Sequence, residues 1–417
     1  MASEWKDVLI QDIAERVAMG PFGSDIKTDN FVESGVPIIR GGNLTTGRFN
    51  GDSFVYLTEE KANQLSSANA FPGDIIFTHR GTLGQVGLIP NAPFNRYIVS
   101  QSQMKLACNK KLADPAFIYY FFKSPQGQQA LLMNTSQTGV PAISRPVTSL
   151  KAISLLLPPL PEQKRIAHIL GSLDDKIELN RKMNETLEEL ARAIFKSWFV
   201  DFDPVLAKSE GRHPEGMDAE TAKLFPASFV DSEMGRIPKG WKTGKISDLA
   251  VITSGKRPPE RVDIPTSEIS VPLFGGGGIM AFTRTPLYAE AILLTGRVGT
   301  LGKIFRVCDP CWASDNTLVL LSHSPFYYEY VFFCLKQIDF ESLNRGSTQP
   351  LVTQGDLQKQ TIIVPSEFCF VAFSKIISTI FEKVAGNSSE SKQLSLIRDS
   401  LLPHLFSGEL VIPTKGI

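Results

Sequence analysis

Blocks of the first half of this chain recur in the same order in the second half, and that duplication limits the possible folds more than any single motif does. "EWKDVLIQDIAERVAMGPFGSD" is echoed by "GWKTGKISDLAVITSGKRPPE", and "GVPIIRGGNLTTGRF" by "SVPLFGGGGIMAFT". "DIIFTHRGTLGQVGLI" matches "AILLTGRVGTLGKIFRV", sharing Gly-Thr-Leu-Gly at Gly81–Gly84 and Gly299–Gly302. An aromatic run ("FIYYFFKS", "YYEYVFFCLK"), a Ser/Thr/Gln loop ("TSQTGVPAISR", "RGSTQPLVTQ") and a strand ending in proline ("ISLLLP", "TIIVP") follow in each half. At 417 residues the chain also exceeds what one hydrophobic core usually fills, so two similar globular modules are expected.

A second repeat lies in the connections. Ile166, Leu170, Leu173, Ile177, Asn180, Asn184, Leu187, Ala191, Ile194 and Trp198 alternate spacings of four and three, which is a heptad seam on one helix. Adding 207 to each number gives Phe373, Ile377, Ile380, Val384, Asn387, Ser391, Leu394, Arg398, Leu401 and Leu405. The seam recurs with its polar break in the middle. Matching breaks favour two helices zipped together antiparallel, the polar positions fixing register at some cost in stability. The alternative is two separate amphipathic helices, each lying on its own domain. From Ile166 to Trp198 the helix would be about 50 Å long. Successive major-groove sites on one face of DNA lie about 34 Å apart, so such a pair could act as a ruler.

Charge is balanced at 43 basic against 43 acidic residues, so a nucleic-acid surface would have to be a local patch made by folding. The five cysteines (Cys108, Cys308, Cys311, Cys334, Cys369) form no disulfide framework, as in a reduced compartment. Cys308 and Cys311 make one C-x-x-C without a second pair at zinc spacing, and no metal is expected. "MASEWKDVLI" lacks the apolar core of a signal peptide, and the longest apolar runs are too short to span a bilayer. No membrane role is expected, and the cytoplasm is the expected location.

Two Gly- and aromatic-rich modules, each closed by a proline-ended strand and the first followed by "LPEQKRIAHI" and "LDDKIELNRKMNETLEELARAIFKSWFVDF", resemble the DNA-specificity (HsdS-type) subunit of type I restriction-modification systems. The likeness covers essentially the whole chain, and "GDIIFTHRGTLGQVGLI" is its other specific stretch. It implies a mixed α/β (α+β) fold: two similar target recognition domains separated by two long antiparallel coiled-coil helices, with a pseudo-twofold internal repeat. The expected boundaries are a first recognition domain at 1–157, a central helix at 158–206, a linker at 207–239, a second recognition domain at 240–365 and a C-terminal helix at 366–417. The resemblance further implies that each domain reads one half of a split, asymmetric target, while the helices set the spacing and bind the modification subunits. Double-stranded DNA, two copies of the methyltransferase and the restriction/translocase subunit are the partners it implies. The second copy departs from the family pattern, with "VPSEFCFVAF" in place of "LPEQKRIA".

No catalytic set stands out, and neither enzymatic activity nor a cofactor is expected. "NAPF" (Asn91–Phe94) is one residue from the Asn-Pro-Pro-aromatic motif of amino-methyltransferases, but no Gly-rich cofactor turn precedes it. "GTLGKI" has Arg297 where a P-loop needs its first glycine and Ile304 where magnesium needs Ser/Thr. Asp174, Asp175 and Lys176 read as a solvated helix flank near Glu178 and Lys182.

Sequence reading of DNA needs donors that reach base edges and cations that meet phosphates, carried on loops of a rigid frame. In the first half the candidates are Lys27, Arg40, Asn43, Arg48, His79, Arg80, Gln85, Arg96, Gln101, Gln103 and Arg145. The second half offers Lys256, Arg257, Arg261, Arg284, Arg297, Lys303, Asn316, Arg345 and Gln349. The aromatic runs have helical spacing and are expected in the core rather than as base-stacking platforms. Trp198, Phe199 and Phe202 either pack on their own domain or form a docking patch for the modification subunit. The competing functions are a stand-alone DNA-modifying enzyme and a coiled-coil scaffold without DNA affinity.

Overall fold

The computed structural model describes residues 5–21, 23, 25–44, 49, 54–136 and 139–410. They divide into two compact units, one made of the described residues within 1–182 and 387–417 and the other of residues 183–386. Each long helix serves both units, because the first runs over Leu160–Phe199 and the second over Glu367–Ser407.

In the first unit a four-stranded antiparallel sheet has the order Ala14–Met19, Gln103–Cys108, Ile75–Thr78, Val86–Leu88. In a strand buried on both faces, successive side chains enter opposite cores. Ile75 and Phe77 accordingly join the main core with the helix Pro115–Lys123, whereas Ile76 joins a smaller one with Ile39 and Val99. That helix starts where it does because Asp114 caps it, its carboxylate accepting from the Ala116 and Phe117 amides at 3.0 Å, with Pro115 in the first turn. Its aromatic side chains are buried, each contributing about 2–3 kcal/mol of transfer free energy. A second sheet pairs Val36–Ile39 parallel with Tyr97–Val99, and Lys6–Leu9 pairs with Ser154–Leu157 to tie the start of the unit to its end.

The second unit repeats this frame. Its sheet order is Ala250–Ser254, Thr317–Ser322, Ile292–Gly296, Ile304–Val307; Val271–Gly275 runs parallel to Trp312–Ala313, and Lys242–Lys245 pairs with Thr361–Val364. Leu293 again enters the main core while Ile292 and Leu294 enter the satellite. Even close approaches recur. A Cβ on Gly20 would stand 1.9 Å from the Ser100 carbonyl oxygen, and one on Gly255 would stand 2.2 Å from that of Ser314, so both strand ends require glycine.

The long helices pair antiparallel within each unit. In the first, Ile166 and Leu170 share a core with Leu402, Leu405 and Phe406, and Leu401 packs at its edge. In the second, Ala191, Phe195 and Trp198 share one with Phe373, Ile377 and Ile380, with Leu187, Ile194 and Val384 packed against it. Leu173, Ile177 and Leu394 on the expected seam are half-buried. At the polar break Asn180 is 1 % exposed, and its Nδ2 donates to the Asn387 carbonyl, to Glu390 at 2.8 Å and to Ser391. Asn184 Nδ2 donates to the Val384 carbonyl at 3.2 Å.

Two expectations are corrected. Residues 207–239 are not a linker. They hold the helix Ala219–Lys223 and the hairpin Phe229–Ser232/Gly235–Pro238, and Phe225 and Ile237 are buried. The Lys208 ammonium donates to the Ala222 and Phe225 carbonyls, so isolated apolar residues and one lysine anchor a segment that has no periodicity. Asp174 is not on a solvated flank either. It is buried, accepting from the Tyr120 hydroxyl at 2.8 Å and from Arg398 Nη1 at 2.7 Å. Trp198, Phe199 and Phe202 pack on their own unit, around Phe225 and Trp241.

Candidate nucleic-acid interface

In the first unit three turns are bound to one another at one end of the sheet's two central strands, forming a rim. The His79 amide donates to the Ser102 carbonyl at 2.9 Å, the Gly81 amide to the Pro141 carbonyl at 2.8 Å, and the Ile143 amide to the His79 carbonyl at 2.8 Å. The second unit makes the same bonds with other residues: Arg297 to Asn316 at 2.8 Å, Gly299 to Pro350 at 3.0 Å, and Val352 to Arg297 at 2.9 Å. His79 is thereby equivalent to Arg297, Arg80 to Val298, Ser102 to Asn316, and Gln103 to Thr317. The backbone frame is kept while its outward chemistry changes, which is what two readers of different sequences require.

The candidates then separate into groups. Arg80 and Arg145 sit on the first rim, exposed and without a side-chain hydrogen bond or ion pair to any described residue; Arg40 and Gln101 adjoin it, and Lys27 lies exposed in a nearby turn. Arg145 has φ +47°, a left-handed conformation uncommon for a residue with a Cβ. On the second rim Arg297 is half-buried and Asn316 exposed, while Lys256, Arg257, Arg261, Lys303 and Gln349 are exposed on flanking segments.

Other candidates hold the frame together. Gln85 accepts from the Thr78 hydroxyl at 2.8 Å and donates to the Gly41 carbonyl at 3.1 Å. Gln103 is buried, donating to Thr78 Oγ1 and accepting from Ser100. Asn43 is buried and accepts from the Arg40 amide at 2.9 Å. Arg96 is held by Asn63 at 2.8 Å and Glu59 at 2.9 Å. Arg284 pairs with Glu260 and Glu268, and Arg345 with Asp356. Burial pushes the Asp356 carboxyl up, but Thr353 and Arg345 outweigh it and hold the group below the usual range. His79 is buried with Nε2 3.1 Å from the Gln101 carbonyl, and desolvation lowers its pKa, so it is a neutral anchor rather than a phosphate-binding cation. Arg48 lies outside the described residues.

The sequence reading also missed a bolt. Gln163, in the "LPEQKRIA" stretch, is fully buried; its Oε1 accepts from the Asp114 amide at 2.8 Å, and its Nε2 donates to the Leu112 and Pro158 carbonyls. It locks the long helix to the cap of the aromatic helix. In the second unit the equivalent residue is Phe370, buried with ring centroids 4.7 Å from Tyr327 and 4.9 Å from Tyr330. An apolar contact there replaces three hydrogen bonds, which accounts for the lost signature. Cys308 is exposed and Cys311 buried, and no group of three or more metal-ligating side chains gathers among the described residues. Nor is any helix among them long and apolar enough to cross a membrane.

Comparison with known proteins agrees with this architecture. The type I restriction modification DNA specificity domain matches twice, over residues 2–189 and 238–395. The specificity subunit of the type I restriction enzyme HindI of Haemophilus influenzae is 29 % identical over 406 residues, covering 81 % of this chain and 86 % of its own length. That of the MjaIX enzyme of Methanocaldococcus jannaschii is 26 % identical over 377 residues, with 84 % and 81 % covered. The crystal structure of a type I restriction-modification S subunit from M. genitalium shares the fold with a TM-score of 0.59 at 19 % identity, covering 97 % of this chain and 96 % of that one. With both halves matched and the duplicated frame in place, the chain belongs to the type I restriction-modification DNA specificity family.

Proposed function

We propose that this chain is the non-catalytic, sequence-reading subunit of a type I restriction-modification complex, and that each unit reads one half of a split, asymmetric DNA target. The observation that carries the reading is the duplicated rim, with backbone bonds repeated bond for bond and side chains replaced. Its cations that have no side-chain partner among the described residues would meet phosphates, while Gln and Asn groups would reach base edges. The helix pairs would set the separation of the half-sites and receive two methyltransferase subunits, with the restriction subunit joining that assembly.

The test is to assemble the chain with the modification subunits of its own system and map the methylated adenines. One bipartite motif is expected. Replacing residues 240–365 with the corresponding segment of another family member should change one half of that motif only. If both halves changed, or if binding ignored sequence and salt, the reading would fail.

A further inference from the structure

We infer that Ile279 and Met280, at the tip of the second unit's Gly-rich hairpin, form an apolar reading head for the 5-methyl group of thymine in the DNA major groove. This rests on the reading that each unit contacts its own half-site. Strand Val271–Gly275 turns through Gly276 and Gly277 into strand Gly278–Thr283. The pairing passes from Leu273 opposite Ala281 to Phe274 opposite Ile279, leaving Met280 as the extra residue of a β-bulge. Neighbours on a regular strand point to opposite faces, so one of these two would normally be turned inward. The bulge re-aims them, and both stand in solvent, Ile279 at 57 % and Met280 at 50 % exposure.

The tip belongs to the rim. A Cβ on Gly276 would come within 3.0 Å of both the Gly296 Cα and the Thr300 carbonyl oxygen, so the turn is seated against the loop that carries Arg297. Arg297 and Lys303 beside it make no hydrogen bond or ion pair through their side chains with any described residue. An apolar pair on a hairpin whose turn meets the loop carrying these cations suits a polyanion that exposes methyl groups. A two-stranded β-ribbon fits the major groove, where the thymine methyl is the one apolar feature among the base edges. The parallel pairings equate Ile39 with Phe274, so the first unit has Arg40 where the second has Gly275. The chemistry at this equivalent position therefore differs between the two units.

The experiment uses the full chain assembled with its modification subunits and duplexes carrying the mapped target, with each half-site thymine replaced singly by deoxyuridine, which removes only the methyl group. The native complex should lose about fourfold in affinity at one or two adjacent positions of a single half-site. Ile279→Ser, and separately Met280→Gln, should bind thymine and uracil duplexes alike, at the native complex's uracil level, with unchanged melting temperature. The inference is overturned if the native complex is indifferent to every replacement or if that half-site contains no thymine. A variant that keeps the thymine preference overturns it too, and one that does so while losing assembly with the modification subunits would make the tip a protein contact. A native complex that does not prefer the mapped target over a scrambled duplex would instead defeat the functional reading itself.

Discussion

Asp174 can occupy the interior only because Arg398 and Tyr120 surround it, and the second unit fills the same three positions without that ion pair, its Phe381 lying under Arg306, which pairs with the buried Glu329 instead. Residues 207 positions away along the repeat are Phe381 for Asp174 and Ala191 for Arg398, and the aligned aromatic run puts Phe333 at the place of Tyr120, all three buried. Removing one member of a buried ion pair strands the other, at a cost of about 3–5 kcal/mol, whereas replacing the whole group by packed apolar residues is often neutral. Arg398→Ala should therefore lower stability by roughly that amount in urea unfolding. The triple variant Tyr120→Phe/Asp174→Phe/Arg398→Ala, which imports only the three apolar residues that the second unit has at these positions and not its Arg306–Glu329 pair, should recover part of it. A triple variant less stable than the single one would show that the pair contributes more than its charge balance. None of this was readable in the sequence, where Asp174 stands next to Asp175 and Lys176 and no periodicity marks a carboxylate whose partners lie 54 and 224 residues away.

Among elements, the long helices were the most legible, because a heptad seam is a local pattern and its polar break repeats at a fixed offset. The first helix runs over Leu160–Phe199, inside the expected 158–206, and Gln163 bonds its first turn outward to the aromatic helix cap, ahead of the seam. Rims were half legible. Equivalent loops could be aligned, but whether a given Gln or Arg faces solvent depends on partners such as Thr78 or Glu59, which no spacing rule reveals. The break itself has an energetic signature: Asn180 Oδ1 finds no donor among the described residues, although its Nδ2 has three acceptors. A buried unsatisfied acceptor costs about 1–3 kcal/mol, and a buried Asn on a seam is known to hold register at the expense of stability. Asn180→Leu should raise the melting temperature. If the layer fixes register, the same variant should broaden the range of half-site spacings methylated in cells; a hotter-melting variant with native spacing would mean that the apolar seam alone sets it.

At the scale of the whole molecule, the functional reading depends on helices whose length is transmitted to DNA. A lone insertion would misalign one helix against its partner, so the informative variant lengthens both at the same level, beside Asn184 and Val384, which are bonded at 3.2 Å. Four residues would interrupt the alternation of threes and fours as a stutter, whereas seven preserve it. Seven residues add about 10.5 Å of helix, close to three base pairs at about 3.4 Å each, and leave the apolar stripe facing its partner. The lengthened chain should fold with near-native stability and direct methylation to a target with the same two half-site sequences and a spacer longer by about three base pairs. Methylation mapping reads both quantities in one experiment. A spacer that stays unchanged in a folded, active variant would mean that the units find their separation from contacts other than these helices, and the ruler would have to be abandoned even though each rim still reads its own half-site.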